Sequence, residues 1–434
     1  MAPISLNALQ RLFRGWDAVH PYNAAQAFQL CGTFSVDAAQ QAWTDALVAL
    51  GLGHVSFQRN RVTHSAATGP QAVHRVPEDT SLEEYVSAEL DRPFLLGDGS
   101  PFRPFLLREG EGTWLGVTYP HWVADSVSIR ILLREWLMRL CVENPPPSHA
   151  VTQVSAGYWK LFAAGGVWRA ALAFIKGHQR LRAARKPLTM SFGDDPSKVL
   201  VRRAPEGLGA AVRACCRERG VRVSDLMLAG LLEAASRHVP LQQRPNRRNV
   251  AVGCIVDLRP HARPTIDDAF GLFLGFASII CGPEECSDWP RLLESVRRQS
   301  ERHRRPGIAA TCTTWISAAL AVSALIPRRR TNHFYRKTMP LAAGLSSVNL
   351  NREWPMEFFP SPLIDYLRIS PTGPIAPAVL SATEMGPRLT LALTYQRGVV
   401  NAAAAEAIVE SVIDRLDAWC GATDRALVDK RAQT

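Results

Sequence analysis

Apolar residues recur at every second position in some stretches and at intervals of three and four in others, so strands and helices interleave along the whole chain. Residues 26–34 read as a strand, and 36–50 have the period of an amphipathic helix with Ser35 or Asp37 as its cap. Leu115, Val117 and Tyr119 share one face of 113–119, which predicts a half-buried strand. Pro120 and His121 follow at once. In 126–140 the residues Ile129, Leu132, Leu133, Trp136, Leu137 and Leu140 form one stripe, the mark of a helix with a single core-facing side.

Beyond a proline-rich stretch at 143–148 and a break at 186–197 containing Gly193, Asp194, Asp195 and Pro196, the pattern resumes. Ser224 is placed to cap a helix over 225–239. Residues 249–259 are apolar on both faces, as a central strand should be. Further strands are expected at 345–350 and 389–395, with a closing helix over 402–420. At 434 residues the chain exceeds one ordinary core. An α/β protein of two lobes is expected, 1–187 and 188–434, without a residue-level repeat between them.

Composition narrows the class. With 47% apolar and 21% charged residues the chain is a folded globular one. The net charge is +11, and nearly all of it is arginine, because lysine occurs only at 160, 176, 186, 198, 337 and 430. Such a field favours anionic partners. The basic clusters lie among Ala, Gln, Glu and Pro without interleaved aromatics, so no nucleic-acid partner is expected. Nine scattered cysteines with no CxxC pair give neither a zinc site nor a disulfide framework; no metal is expected, and a reduced, cytoplasmic chain is. The start of the chain lacks the apolar run of a signal peptide. Residues 306–327 carry no charge, but their threonines, serines and alanines suit a core helix better than a membrane span. In GGVWRAALAFIKGHQRLR, apolar and basic residues mix at helical spacing, which leaves room for peripheral membrane contact.

His121 and Asp125 make an HxxxD motif at a strand-to-helix junction, where rigid frames commonly expose reactive side chains. With eleven histidines, chance supplies about half of one such motif, and none of the other ten has Asp four residues on. Read alone, Asp125 equally suits an N-cap and His121 a satisfied surface histidine.

The surroundings are more informative. The motif with Ser126, the segment VGCIVDLRP ending at Arg259 and Pro260, FGLFLGF at 270–276, GLSSVNLN at 344–351 and the final strand and helix from LTLALTYQ onward stand in one order. In that order they resemble the CoA-dependent acyltransferase superfamily of chloramphenicol acetyltransferase, plant-type alcohol acyltransferases, wax ester synthases and the condensation domains of peptide synthetases. The resemblance implies two similar lobes, each a mixed sheet backed by helices, with a tunnel between them and His121 midway. It also implies an acyl transfer from acyl-CoA or a carrier protein's phosphopantetheine thioester to a small-molecule alcohol, in preference to an amine. No permanently bound cofactor is expected, and an acyl or peptidyl carrier protein is a possible partner. His121 would be the general base. Asp125 would pair with Arg259 and hold the loop, although Arg259 also reads as a strand-end cation. Ser126, Ser347 and Asn349 become candidates for the oxyanion or substrate, the last two reading equally as ordinary polar residues of a strand.

Two departures matter. Ser126 replaces the motif glycine, and Pro120 the first histidine common in condensation domains; the plant DFGWG is absent. A freestanding bacterial-type member fits what remains. The alternative is a catalytically inactive condensation-like module that binds a carrier protein or ligand.

Overall fold

A computed structural model describes residues 3–65, 72–95, 98–154, 157–162, 167–188, 196–263, 265–304, 307–327, 330–352, 354 and 363–432. Two larger sheets dominate it. The first has five strands in the order Leu363–Ile369, Asn23–Cys31, Gly112–Pro120, Arg103–Glu109 and His74–Arg75. The second has six, in the order Ser197–Arg203, Arg388–Gln396, Ala378–Met385, Ala343–Asn349, Val250–Asp257 and Leu274–Cys281. Each is backed by helices, giving two similar α/β lobes.

The helix Val36–Leu50 forms where the stripe requires it. Ser35 Oγ accepts from the Ala38 amide at 3.1 Å and Gly51 closes the end at φ 70°. It packs with Ser126–Cys141 on one face of the first sheet, where Trp43 and Trp136 meet edge to face at 4.8 Å. Leu82–Asp91 covers the other face.

That second cover corrects the expected strand 113–119. It runs Gly112–Pro120 and is buried at all nine positions, because Leu115, Val117 and Tyr119 face one core while Trp114 faces another. Ser224 is corrected as well: it lies inside the helix Val223–His238, whose N-cap position is Arg222 with no side-chain cap. The closing helix extends past its expected end to Ala432.

Several strands were not foreseen, among them Arg103–Glu109, Ser197–Arg203, Leu274–Cys281 and Ala378–Met385, and one more crosses between the halves of the chain. Leu363–Ile369 leaves the second half of the chain and pairs antiparallel with Asn23–Cys31 in the first sheet. Short parallel pairing of Ala269–Phe270 with Thr152–Gln153 joins the halves again. No single helix among the described residues is long and apolar enough to cross a membrane; Trp289–His303 and Ile308–Ser323 pass such a test only as a pair bent by 86°.

Candidate active site

Gly112–Pro120 is the central strand of the first sheet, and the chain turns at its end to present His121. Two backbone bonds hold the turn: His121 N–H donates to Tyr22 O at 2.8 Å and Val123 N–H to Pro120 O at 2.9 Å. The His121 Nδ1 lies 3.2 Å from the Ala124 carbonyl oxygen. A carbonyl only accepts, so Nδ1 carries the hydrogen and the neutral ring keeps its lone pair on Nε2.

The imidazole sits deep in the molecule at the wall of a cavity of about 1630 Å³. Phe13 and Tyr22 lie beside the ring at 5.5 and 5.8 Å between centroids, with Tyr119 edge-on at 6.3 Å. Burial lowers its pKa from 6.5 to about 4; the Ala124 carbonyl and the Asp125 charge act against that, and the Arg368 charge adds to it. At neutral pH the ring is therefore uncharged.

Asp125 and Arg259 meet in the interior. Arg259 donates through Nη1 to Asp125 Oδ2 at 2.7 Å and through Nη2 to Oδ1 at 2.9 Å, a bidentate pair between the two halves of the chain. The carboxylate also caps the helix Ser126–Cys141, accepting from Ser128 N–H at 3.0 Å, and it accepts from Phe273 N–H at 2.9 Å. Burial alone would raise the Asp125 pKa, but the Arg259 charge and these hydrogen bonds outweigh it and hold the carboxyl below its ordinary range. Asp125 N–H and Ser128 Oγ both donate to Gly271 O, at 2.8 and 2.9 Å. The loop bearing His121 is thus fastened to residues 269–273 of the other half.

Ser126 opens the helix with ordinary backbone angles; Arg59 is the one described non-glycine residue at positive φ. Nothing in the local backbone therefore demands the glycine it replaces. Its hydroxyl accepts from Arg130 Nη1 at 2.8 Å and Arg368 Nε at 2.9 Å and reaches Gln26 Oε1 at 3.4 Å. Arg368 also donates to Ser346 Oγ and, at 3.4 Å, to the carbonyls of Ser346 and Ala382. Gln26 links on to Tyr119 OH at 3.0 Å and Tyr366 OH at 2.9 Å.

Sequence reasoning missed this network. Its one signal was a lone arginine inside the apolar run LIDYLRI. Ser347 and Asn349 line the same cavity as His121, from the strand Ala343–Asn349, and Asn349 Oδ1 accepts from Asn351 N–H at 3.0 Å. The cavity runs between the lobes, walled on one side by Ala24, Tyr119 and His121 and on the other by Gly253, Ile255 and Leu345. It exceeds the space that a drug-sized ligand needs, and so has room for two small molecules at once.

Residues 71–307 match the family described as Condensation domain. No curated protein sequence matches. Among solved structures, the chain is similar to the epimerization domain from the third module of tyrocidine synthetase B, at 14% identity over 97% of this chain and 96% of that one, with a TM-score of 0.63. The trichothecene 15-O-acetyltransferase of Fusarium sporotrichioides is similar at 10% identity, covering 95% and 94%, with a TM-score of 0.70. Polyketide synthase associated protein 5 of Mycobacterium tuberculosis is similar at 16% identity, covering 96% and 98%, with a TM-score of 0.59. At these identities the likeness is one of fold.

Proposed function

From the premise that this chain belongs to the condensation-domain family, with the acyl-transfer or condensation-like role that membership carries, we propose that it moves an acyl group from a thioester to a hydroxyl acceptor, amines being second. CoA or the phosphopantetheine of a carrier protein supplies the thioester, in the cytoplasm. The observation that carries this reading is the His121 tautomer: with Nδ1 committed to the Ala124 carbonyl, Nε2 is left as a proton acceptor at the cavity.

His121 Nε2 takes the hydroxyl proton as the acceptor oxygen bonds to the thioester carbon. The carbonyl oxygen becomes an oxyanion, which we assign to Ser347 and Asn349. The intermediate then collapses, the carbon–sulfur bond breaks, and the thiolate recovers the proton from the imidazolium. General-base assistance of this kind contributes roughly a hundred- to ten-thousandfold. Asp125 and Arg259 touch neither substrate and act by holding the loop; Ser126, engaged by two guanidinium groups, does the same from the cavity side.

The test is to incubate the purified protein with acetyl-CoA, longer acyl-CoAs and a panel of alcohols and amines, and to measure free thiol. Thiol release that His121→Ala abolishes is the expected result. No thioester consumption, with CoA or a carrier protein still raising the melting temperature, would establish the inactive binding module instead.

A further inference from the structure

The positive charge of this chain is segregated. Residues 144–193 and 302–352 together hold 16 of the 50 Lys and Arg and none of the 39 Asp and Glu, so everything else, with 34 cations against 39 carboxylates, is net −5. These two segments pack on one another. Tyr158–Phe162 and Val167–Arg182 both contact Ile308–Ser323, Thr331–Thr338 contacts Val167–Arg182, and the Trp159 indole donates to Ser317 Oγ at 2.9 Å.

The same assembly carries most of the large apolar side chains that face water among the described residues. Trp159 is 42% exposed, Leu172 58%, Ile175 49% and Leu325 84%. Lys160, Lys176, Arg182, Arg330 and Lys337 are exposed on the same segments. Apolar side chains with a tryptophan among cations, and no acid on either segment, are the composition of an interfacial surface. A basic face of one sign complements an acidic protein as well as an anionic bilayer; what favours the bilayer is the set of large apolar side chains standing in water among those cations, Leu172 58% and Leu325 84% exposed, which an acyl boundary would take up.

We infer that this face docks on an anionic membrane surface, its cations against the lipid headgroups and Trp159, Leu172, Ile175 and Leu325 entering the acyl boundary. The inner sides of the same helices, through Leu161, Leu181, Ile316 and Ala319, line the cavity that holds His121. Docking lays the roof of that cavity on the bilayer, where an amphiphilic acyl donor or acceptor is concentrated.

Vesicle flotation of the full chain tests this without any turnover, so its failure is separate from failure of the acyl-transfer reading. Phosphatidylcholine vesicles with about one third phosphatidylglycerol are expected to carry the protein at low salt, and pure phosphatidylcholine to carry at least about tenfold less. Raising the salt should release it. Ile175→Glu with Leu325→Glu, and separately Lys176→Glu with Lys337→Glu, should each weaken binding about tenfold or more. Val48→Glu, at an exposed apolar position on the helix Val36–Leu50, outside both basic segments, should change nothing. No flotation with the anionic vesicles overturns the proposal, as does flotation that both double variants leave intact. Loss in the double variants of binding to an acidic carrier protein, with no vesicle binding by the parent, overturns it too and assigns the face to a protein.

Discussion

The imidazole of His121 is set by two neighbours of opposite effect: the Ala124 carbonyl fixes which nitrogen is bare, and burial decides whether it stays bare. An ordinary histidine is half protonated at pH 6.5 and loses its base function below that. His121, held near pH 4, remains neutral well into the acid range. We therefore expect kcat/KM for thiol release to stay level as pH falls from 7 through 5 and to drop only around pH 4; an acid limb at 6.5 would contradict the burial argument. Ser126 makes the second prediction at this scale. Its hydroxyl is an acceptor shared by Arg130 and Arg368, which a glycine would leave to find other partners. Ser126→Gly and Arg368→Gln should each lower stability. Their double variant should be less destabilised than the two effects added, by about 0.5–3 kcal/mol in urea melts, because both remove one interaction. Strict additivity would show that the contact does no coupling.

At the scale of elements, what was legible in the sequence follows from how locally each signal is written. Val36–Leu50 was found almost to the residue because its cap, its stripe and its terminal glycine are all contiguous. The strand that leads into His121 was located but misjudged as half-buried, since the helix that covers its second face, Leu82–Asp91, comes from elsewhere in the chain. Leu363–Ile369 was missed outright, because its partner strand lies more than 300 residues away and only that pairing gives it a sheet to belong to. Gly116 shows the same non-local control. A Cβ there would stand 2.7 Å from the Ala27 Cβ and run into the Phe105 ring, on the strands either side. Gly116→Ala is expected to cost about 1–3 kcal/mol by overpacking, read as a lowered urea midpoint. A neutral result would mean that the sheet yields more readily than a close-packed core should.

Across the whole molecule the two lobes are joined at the place where the chemistry is proposed to occur. HxxxD was visible in sequence, and the Asp125–Arg259 pairing was expected only through resemblance; the geometry adds that the pair is buried, bidentate and continuous with the Gly271 and Phe273 backbone. A buried ion pair is poor evidence of net stabilisation over an apolar substitute, yet breaking one side of it leaves an unpaired charge inside and costs about 3–5 kcal/mol. Asp125→Ala also strips the cap from Ser126–Cys141 and the anchor from the loop that aims His121. We therefore expect Asp125→Ala to lower the melting temperature and thiol release together, and Arg259→Lys, which keeps the charge but not the fork, to do both more mildly. The pairing is then tested against the simpler view that Asp125 is only a helix cap. Asp125→Ser preserves a capping oxygen while removing the charge. If capping were all, that variant would match the parent; if the tie between lobes matters, it should fall close to Asp125→Ala in both melting temperature and activity. A variant lacking the carboxylate that keeps full activity and an unchanged melt would show that His121 is positioned without help from the second lobe.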